Sequence, residues 1–138
     1  MAFLLDTCLL SEVWKPSPNP GVLAWLGASI EEELYLSVLS LGELRKGIDR
    51  LPPGRKRERL ARDYVALRSR FSSRILAVDE IVAERWGALS AEAARLGRQV
   101  RVVDGLIAAT ALVAGLTVVT RNVDDFVATA VPVIDPWT

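Results

Sequence analysis

Apolar and polar positions along the chain switch between two periods. Phe3-Leu4-Leu5 is an apolar run that ends on Asp6, so residues 2–5 read as a short buried strand. Thr7 can cap a helix that carries Leu9, Leu10 and Val13 to about Trp14, and Pro16, Pro18 and Pro20 then break the chain. A second helix over about 20–29 presents Val22, Trp25 and Leu26. Leu34 to Val38 alternates like a strand, and a helix from about Leu41 to Arg50 follows. After Pro52-Pro53-Gly54 a long helix runs to about Phe71, with Leu60, Tyr64, Leu67 and Phe71 spaced at helical period. Ile75 to Val78 predicts a third strand. The helix over about 79–97 carries Val82, Trp86, Leu89, Ala93 and Leu96, and Gly97 is its stop. A helix over 104–114 is apolar nearly all round and should be central, with Gly115 ending it. Leu116–Thr120 and Val131–Ile134 complete the strands. Alternation of strands and helices predicts an α/β protein with a mostly parallel sheet.

At 138 residues the chain reads as a single domain, 1–138, long enough to bury about two-thirds of its unfolded surface. The longest nearly apolar run, Leu106 to Val119, holds two threonines and a glycine and falls short of the ~18 residues that span a bilayer. The first residues lack a signal-peptide pattern, and a single cysteine, Cys8, excludes an intramolecular disulfide. A soluble cytoplasmic protein with no membrane partner is expected. There is no histidine. That removes Ser-His-Asp and Cys-His catalysis, paired-histidine RNA cleavage and, with one cysteine, a structural zinc site. A metal here would need oxygen ligands, which points to Mg²⁺ or Mn²⁺.

Net charge is zero but unevenly spread: residues 45–74 carry eleven Arg or Lys against three acids, a local +8 that leaves −8 elsewhere. The stretch reads either as a solvated helix face or as a phosphate-contacting strip.

Four acids stand at the edges of apolar elements: Asp6, Glu43, Asp104 and Asp125. Isolated buried carboxylates are unfavourable unless cations compensate them. In an open parallel sheet ligands bind beyond the carboxyl ends of the strands, and all four could share that end. One or two divalent ions there would activate a water and stabilise charge on a phosphoryl group. Each acid also has an ordinary reading. Asp6 could cap the first helix, and Ser40-x-x-Glu43 has the form of a capping box. Asp104 could favour a helix dipole, and Asp124 and Asp125 could be turn residues. Caps need not converge, whereas metal ligands must.

The segments Leu5-Asp6-Thr7, Ser11-Glu12-Val13, Gly42-Glu43-Leu44 with Gly47, Asp104-Gly105-Leu106-Ile107-Ala108-Ala109 and Thr120-Arg121-Asn122-Val123-Asp124-Asp125-Phe126 resemble the PIN-domain family. The tail Val133-Ile134-Asp135-Pro136-Trp137 resembles its FitB-like VapC branch, toxins of bacterial toxin–antitoxin pairs. The resemblance spans the chain and keeps the motif order. It implies a three-layer α/β/α fold and a Mg²⁺- or Mn²⁺-dependent ribonuclease with one or two ions. By position Asp6, Glu43 and Asp104 match the core carboxylates, and Asp125 matches the fourth, with Asp124 the alternative. Thr7, Thr120 and Asn122 would support them from behind. Many relatives have Asp at the position of Asn122, and Asn where this chain has Cys8. A homodimer is implied, as is an antitoxin whose C-terminal segment wraps the toxin, with DNA reached only through the antitoxin. The helix pair over 41–71 would form the antitoxin groove. The nucleophile would be a metal-bound water, leaving a 5′-phosphate and a 3′-hydroxyl on RNA. Arg45, Lys46 and Arg50 could guide RNA phosphates.

Three other classes compete. A phosphorylation receiver domain needs paired acids after the first strand and a late lysine, yet Asp6 stands alone and the only lysines are 15, 46 and 56. An Asp-x-Asp phosphatase lacks its second acid, since Asp6 is followed by Thr7 and Cys8. A catalytically silent PIN-fold module acting only through its antitoxin-like partner would be expected to have lost a carboxylate.

Overall fold

The computed structural model describes residues 1–138. Its strands are β1 (Phe3–Leu5), β2 (Leu34–Ser37), β3 (Ile75–Leu76), β4 (Thr117–Val119) and β5 (Val133–Ile134). They form one sheet in the order β3-β2-β1-β4-β5, with every neighbouring pair parallel. The helices are α1 (Thr7–Val13), α2 (Pro20–Ala28), α3 (Val38–Asp49), α4 (Arg55–Arg70), α5 (Glu80–Arg95) and α6 (Val102–Ala114), with 3-10 turns at Glu31–Glu33 and Val123–Thr129. None is long and apolar enough to cross a membrane.

Strand pleating divides the core. Leu4 of β1 and Val118 of β4 pack with Val82, Leu89, Ile107, Ala108 and Phe126 on one face. Their neighbours Leu5 and Val119 point the other way, to Leu9, Val22, Leu44 and Phe71. Helices α5 and α6 therefore cover one face and α1, α2 and α4 the other, which is the three-layer arrangement. Each fully buried Leu, Val or Ile here contributes about 1.5–3 kcal/mol. The middle of α6 is core, with Gly105 and Ile107 to Ala111 all buried, while Val102 and Val113 toward its ends stay exposed. It stops where Gly115 adopts φ 71, a left-handed turn that Cβ-bearing residues resist.

Several expected boundaries move. Helix α1 is capped by Asp6, not Thr7: its carboxylate accepts from the Thr7 backbone N–H at 2.8 Å. Helix α3 starts at Val38 rather than about Leu41, because Ser37 accepts from the Leu39 N–H at 3.1 Å and caps it. Ser40 and Glu43 thus lie inside the helix and form no capping box. Helix α6 begins two residues before Asp104, with Arg101 as its N-terminal flank. Helix α5 ends at Arg95, so Leu96 falls outside the buried stripe and is 65% exposed. Phe71 is buried, and Trp14, Trp25, Tyr64 and Leu67 pack half-buried against the second core.

Candidate metal centre

The sheet order reverses between β2 and β4, the neighbours of β1, so a crevice opens beyond the carboxyl ends of β1 and β4. Asp6 sits there. Its N–H extends the ladder to the Val119 carbonyl at 3.0 Å, fixing the backbone as rigidly as a strand residue. One carboxylate oxygen caps α1; the other, Oδ2, accepts from Thr120 Oγ at 2.8 Å. Thr120 is fully buried at the end of β4, and its oxygen also accepts from the Asn122 N–H at 3.0 Å. It is the backbone of Asn122, not its side chain, that joins this support. Burial raises the Asp6 pKa, and the Glu43 charge adds to that; the Thr120 and Thr7 hydrogen bonds oppose it.

Glu43 is exposed on the second turn of α3, and its Oε1 accepts from Thr7 Oγ at 2.7 Å. Thr7 thereby ties α1 to α3. Asp104, in the first turn of α6, is half-buried and its pKa is pushed up to about 6. Desolvation is the main cause, followed by the charges of Asp125, Asp6 and Glu43, with Arg101 acting in the opposite direction. All four acids therefore act in one electrostatic field. Asp125 is exposed on the 3-10 turn, with its N–H on the Asn122 carbonyl at 3.1 Å and Phe126 buried beside it. Asp124 and Asp125 both line a cleft of about 510 Å³ with Asp104, Arg98, Gln99 and Arg101.

The donor set suits a hard divalent cation: carboxylates and hydroxyls without imidazole, and a thiol whose pKa burial and Asp6 push upward. No three of the acidic or thiol groups close into a ready coordination shell.

Two residues had no assigned place in the sequence reading. Cys8, in the first turn of α1, has its Sγ 3.8 Å from Asp6 Oδ2 and 3.3 Å from Thr120 Oγ, so it touches the centre despite lacking an amide. Glu12 is buried and structural: it accepts from Lys15 Nζ and from the Asn19 N–H, each at 2.9 Å, joining α1 to the turn before α2. Its place between Ser11 and Val13 in a matched segment was the only available signal.

The basic stretch divides by function. Arg45 pairs with Asp49, Arg70 with Glu31, and Arg74 donates to the Glu31 and Leu34 carbonyls. Lys46 and Arg50 are exposed near the end of α3. Arg55, Lys56, Arg59 and Arg62 instead line, with Lys15 and Trp14, a cleft of about 670 Å³ between α1 and α4. A smaller apolar cleft of about 280 Å³ lies between α1, α2 and α4, lined by Val13, Trp14, Leu26, Leu67 and Phe71 among others. It uses the α4 face expected to form a groove, but pairs it with α1 and α2 rather than α3.

This arrangement has close counterparts. The PIN domain matches residues 3–132. The chain is 41% identical over 138 residues to Toxin FitB of Neisseria gonorrhoeae, covering 97% of each. It is 36% identical to VapC ribonuclease Y4jK of Sinorhizobium fredii, covering 97% of this chain and 96% of that one. Among solved structures, FitAcB from Neisseria gonorrhoeae superposes with a TM-score of 0.93 at 40% identity, covering 98% of both chains. FitAB bound to a DNA fragment superposes with a TM-score of 0.94 at 38% identity, covering 99% of this chain and 96% of that one. The family match over residues 3–132, the shared fold and the near-complete coverage agree, and the chain belongs to the PIN-domain family.

Proposed function

We propose that this chain is the toxin of a bacterial toxin–antitoxin pair and acts as a Mg²⁺- or Mn²⁺-dependent ribonuclease. The carrying observation is that Asp6, Glu43 and Asp125 lie near enough for their charges, added to burial, to push the Asp104 pKa up to about 6. Its similarity to Toxin FitB and to a VapC ribonuclease supports the same reading.

Asp6, Glu43, Asp104 and Asp125 would hold one or two ions. A bound cation supplies Lewis-acid chemistry there, lowering the pKa of a water and stabilising charge on the phosphoryl group. The chain's own residues set the geometry. The Thr120 hydrogen bond orients the Asp6 carboxylate and opposes the upward pull of burial on its pKa, and Thr7 fixes Glu43 from α1. With no histidine to deprotonate the RNA 2′-hydroxyl, the reaction is hydrolysis by water, leaving a 5′-phosphate and a 3′-hydroxyl. Arg45, Lys46 and Arg50, with the larger basic cleft beyond them, attract RNA phosphates. The apolar cleft between α1, α2 and α4 accepts an antitoxin segment, DNA is reached only through that antitoxin, and the toxin is a homodimer.

The test compares antitoxin-free protein with Asp104→Asn on total bacterial RNA, in Mg²⁺ or Mn²⁺ and in EDTA. Discrete cleavage that requires the metal and vanishes in the variant is the expected result. Equal cleavage by both proteins would refute this assignment of the centre. No cleavage of RNA from several sources would favour a silent module that acts only through its partner.

A further inference from the structure

The cleft beside the acids has a second wall that no part of the proposed chemistry yet uses. Arg98 and Arg101 line it together with Asp104, Asp124 and Asp125. Both backbones are pinned. After α5, Gly97 takes φ 72 and the Arg98 N–H returns to the Ala93 carbonyl at 2.9 Å, closing the helix end. Arg101 flanks α6, and its carbonyl accepts from the Gly105 N–H at 2.8 Å. Gly105 itself sits tight against Trp86: a Cβ there would come within 3.0 Å of the indole. The segment carrying the two arginines is therefore fixed at both ends to packed helices.

Their guanidinium groups, by contrast, are free. Neither joins the ion pairs that hold Lys15, Arg45, Arg70, Arg74 and Arg95, although three carboxylates line the same cleft. Simple charge neutralisation would have paired them. Anchored backbone with unpaired planar forks is the arrangement that suits a phosphate, whose oxygens match the guanidinium donors two at a time. A phosphodiester approaching four carboxylates also meets repulsion, which cations lining the same cleft offset. The cleft, about 510 Å³, falls within the ~300–1,000 Å³ of small-ligand sites.

We propose that Arg98 and Arg101 form a phosphate subsite that holds the scissile phosphodiester against the acidic centre. This rests on the ribonuclease reading above. In the reaction a water oxygen bonds to phosphorus, the P–O3′ bond breaks and the water's proton leaves with the 3′ oxygen. The phosphate stays on the 5′ end of the downstream product. The subsite accordingly recognises an RNA 5′-phosphate, and it distinguishes that end from a 3′-phosphate of equal charge.

The experiment measures, in Mg²⁺, the binding of three labelled RNA tetranucleotides that differ only in carrying a 5′-phosphate, a 5′-hydroxyl or a 3′-phosphate. Each is checked for intactness afterwards. The wild type should bind the 5′-phosphate form about tenfold tighter than the others, as expected for charge-assisted hydrogen bonds. Arg98→Ala/Arg101→Ala should lose that preference. Arg98→Lys/Arg101→Lys, which keeps the charge but not the forks, should retain a reduced one and covers the case of a poorly folded double-alanine protein. Arg68→Ala, which removes a cation elsewhere, should behave as wild type. No 5′-phosphate preference in the wild type, or an unchanged preference in a folded double variant, would overturn the subsite. If the wild type cleaves RNA yet shows no preference, only the subsite fails. If it shows the preference, and the variant loses it, but no RNA is cleaved, the subsite stands and the ribonuclease reading fails.

Discussion

Replacing Asp104 by Asn should make the metal-free protein more stable at neutral pH, although the same change should abolish cleavage. The carboxyl moves from its ordinary 3.8 to about 6 on folding, which at full strength corresponds to about 3 kcal/mol of ionisation penalty. Asp104 is half-buried, and solvent screening over its open side reduces this to about 1–1.5 kcal/mol. Asparagine also forfeits the favourable contact of a first-turn acid with the α6 dipole, about 0.5 kcal/mol. The net gain is about 0.5–1 kcal/mol, or about 2–3 °C in Tm for a chain of this size. The sign follows from linkage. A folded pKa above the unfolded one means the folded state binds the proton more tightly. This contribution is fully present below about pH 4 and is lost as pH rises through about 6. Thermal scans in EDTA at pH 7.5 should therefore favour Asp104→Asn, and the advantage should shrink between pH 6 and pH 4. Adding Mg²⁺ should reverse the order, because an ion that binds the folded state stabilises the wild type more. A variant less stable than wild type in EDTA at pH 7.5, or a difference independent of pH, would refute the account of a carboxyl penalised by burial and by the neighbouring acids.

Thr120→Val, nearly isosteric, removes the buried donor to Asp6 and should cost about 1.5–3 kcal/mol at pH 7.5 in urea titrations, with the loss shrinking as Asp6 protonates at low pH. Gly105→Ala forces a Cβ to 3.0 Å from Trp86 and 3.4 Å from Val100, so a loss of about 1–3 kcal/mol is expected, with activity falling further than stability as α6 shifts Asp104. Phe126→Ala opens the core beneath Asp125 and should cost about 3–5 kcal/mol by calorimetry. Ala130 holds φ 61, so Ala130→Gly should raise Tm by about 1–2 °C through relief of left-handed strain.

The sequence by itself determined the order of strands and helices and the ends of those helices whose punctuation is local. Gly115 closes α6 because few other residues tolerate its φ, and Pro52-Pro53-Gly54 separates α3 from α4 because proline cannot continue a helix. It also narrowed the chemistry, since the absence of histidine acts at the level of composition, and the order of five short motifs pointed to the family. It could not place the start of α3. Ser37 and Ser40 are both competent caps, and only the path of the chain out of β2 puts the Ser37 hydroxyl on the Leu39 N–H. Tertiary structure alone decided which polar groups meet. The Thr120–Asp6 bond spans 114 positions and Thr7–Glu43 spans 36, contacts created by strand order rather than by any local pattern. The same holds for charge: one contiguous basic run divides into cations locked in ion pairs and cations lining an open cleft. Arg98 and Arg101, unremarked in the sequence, line the same cleft as the acids because two helix ends fix the segment between them.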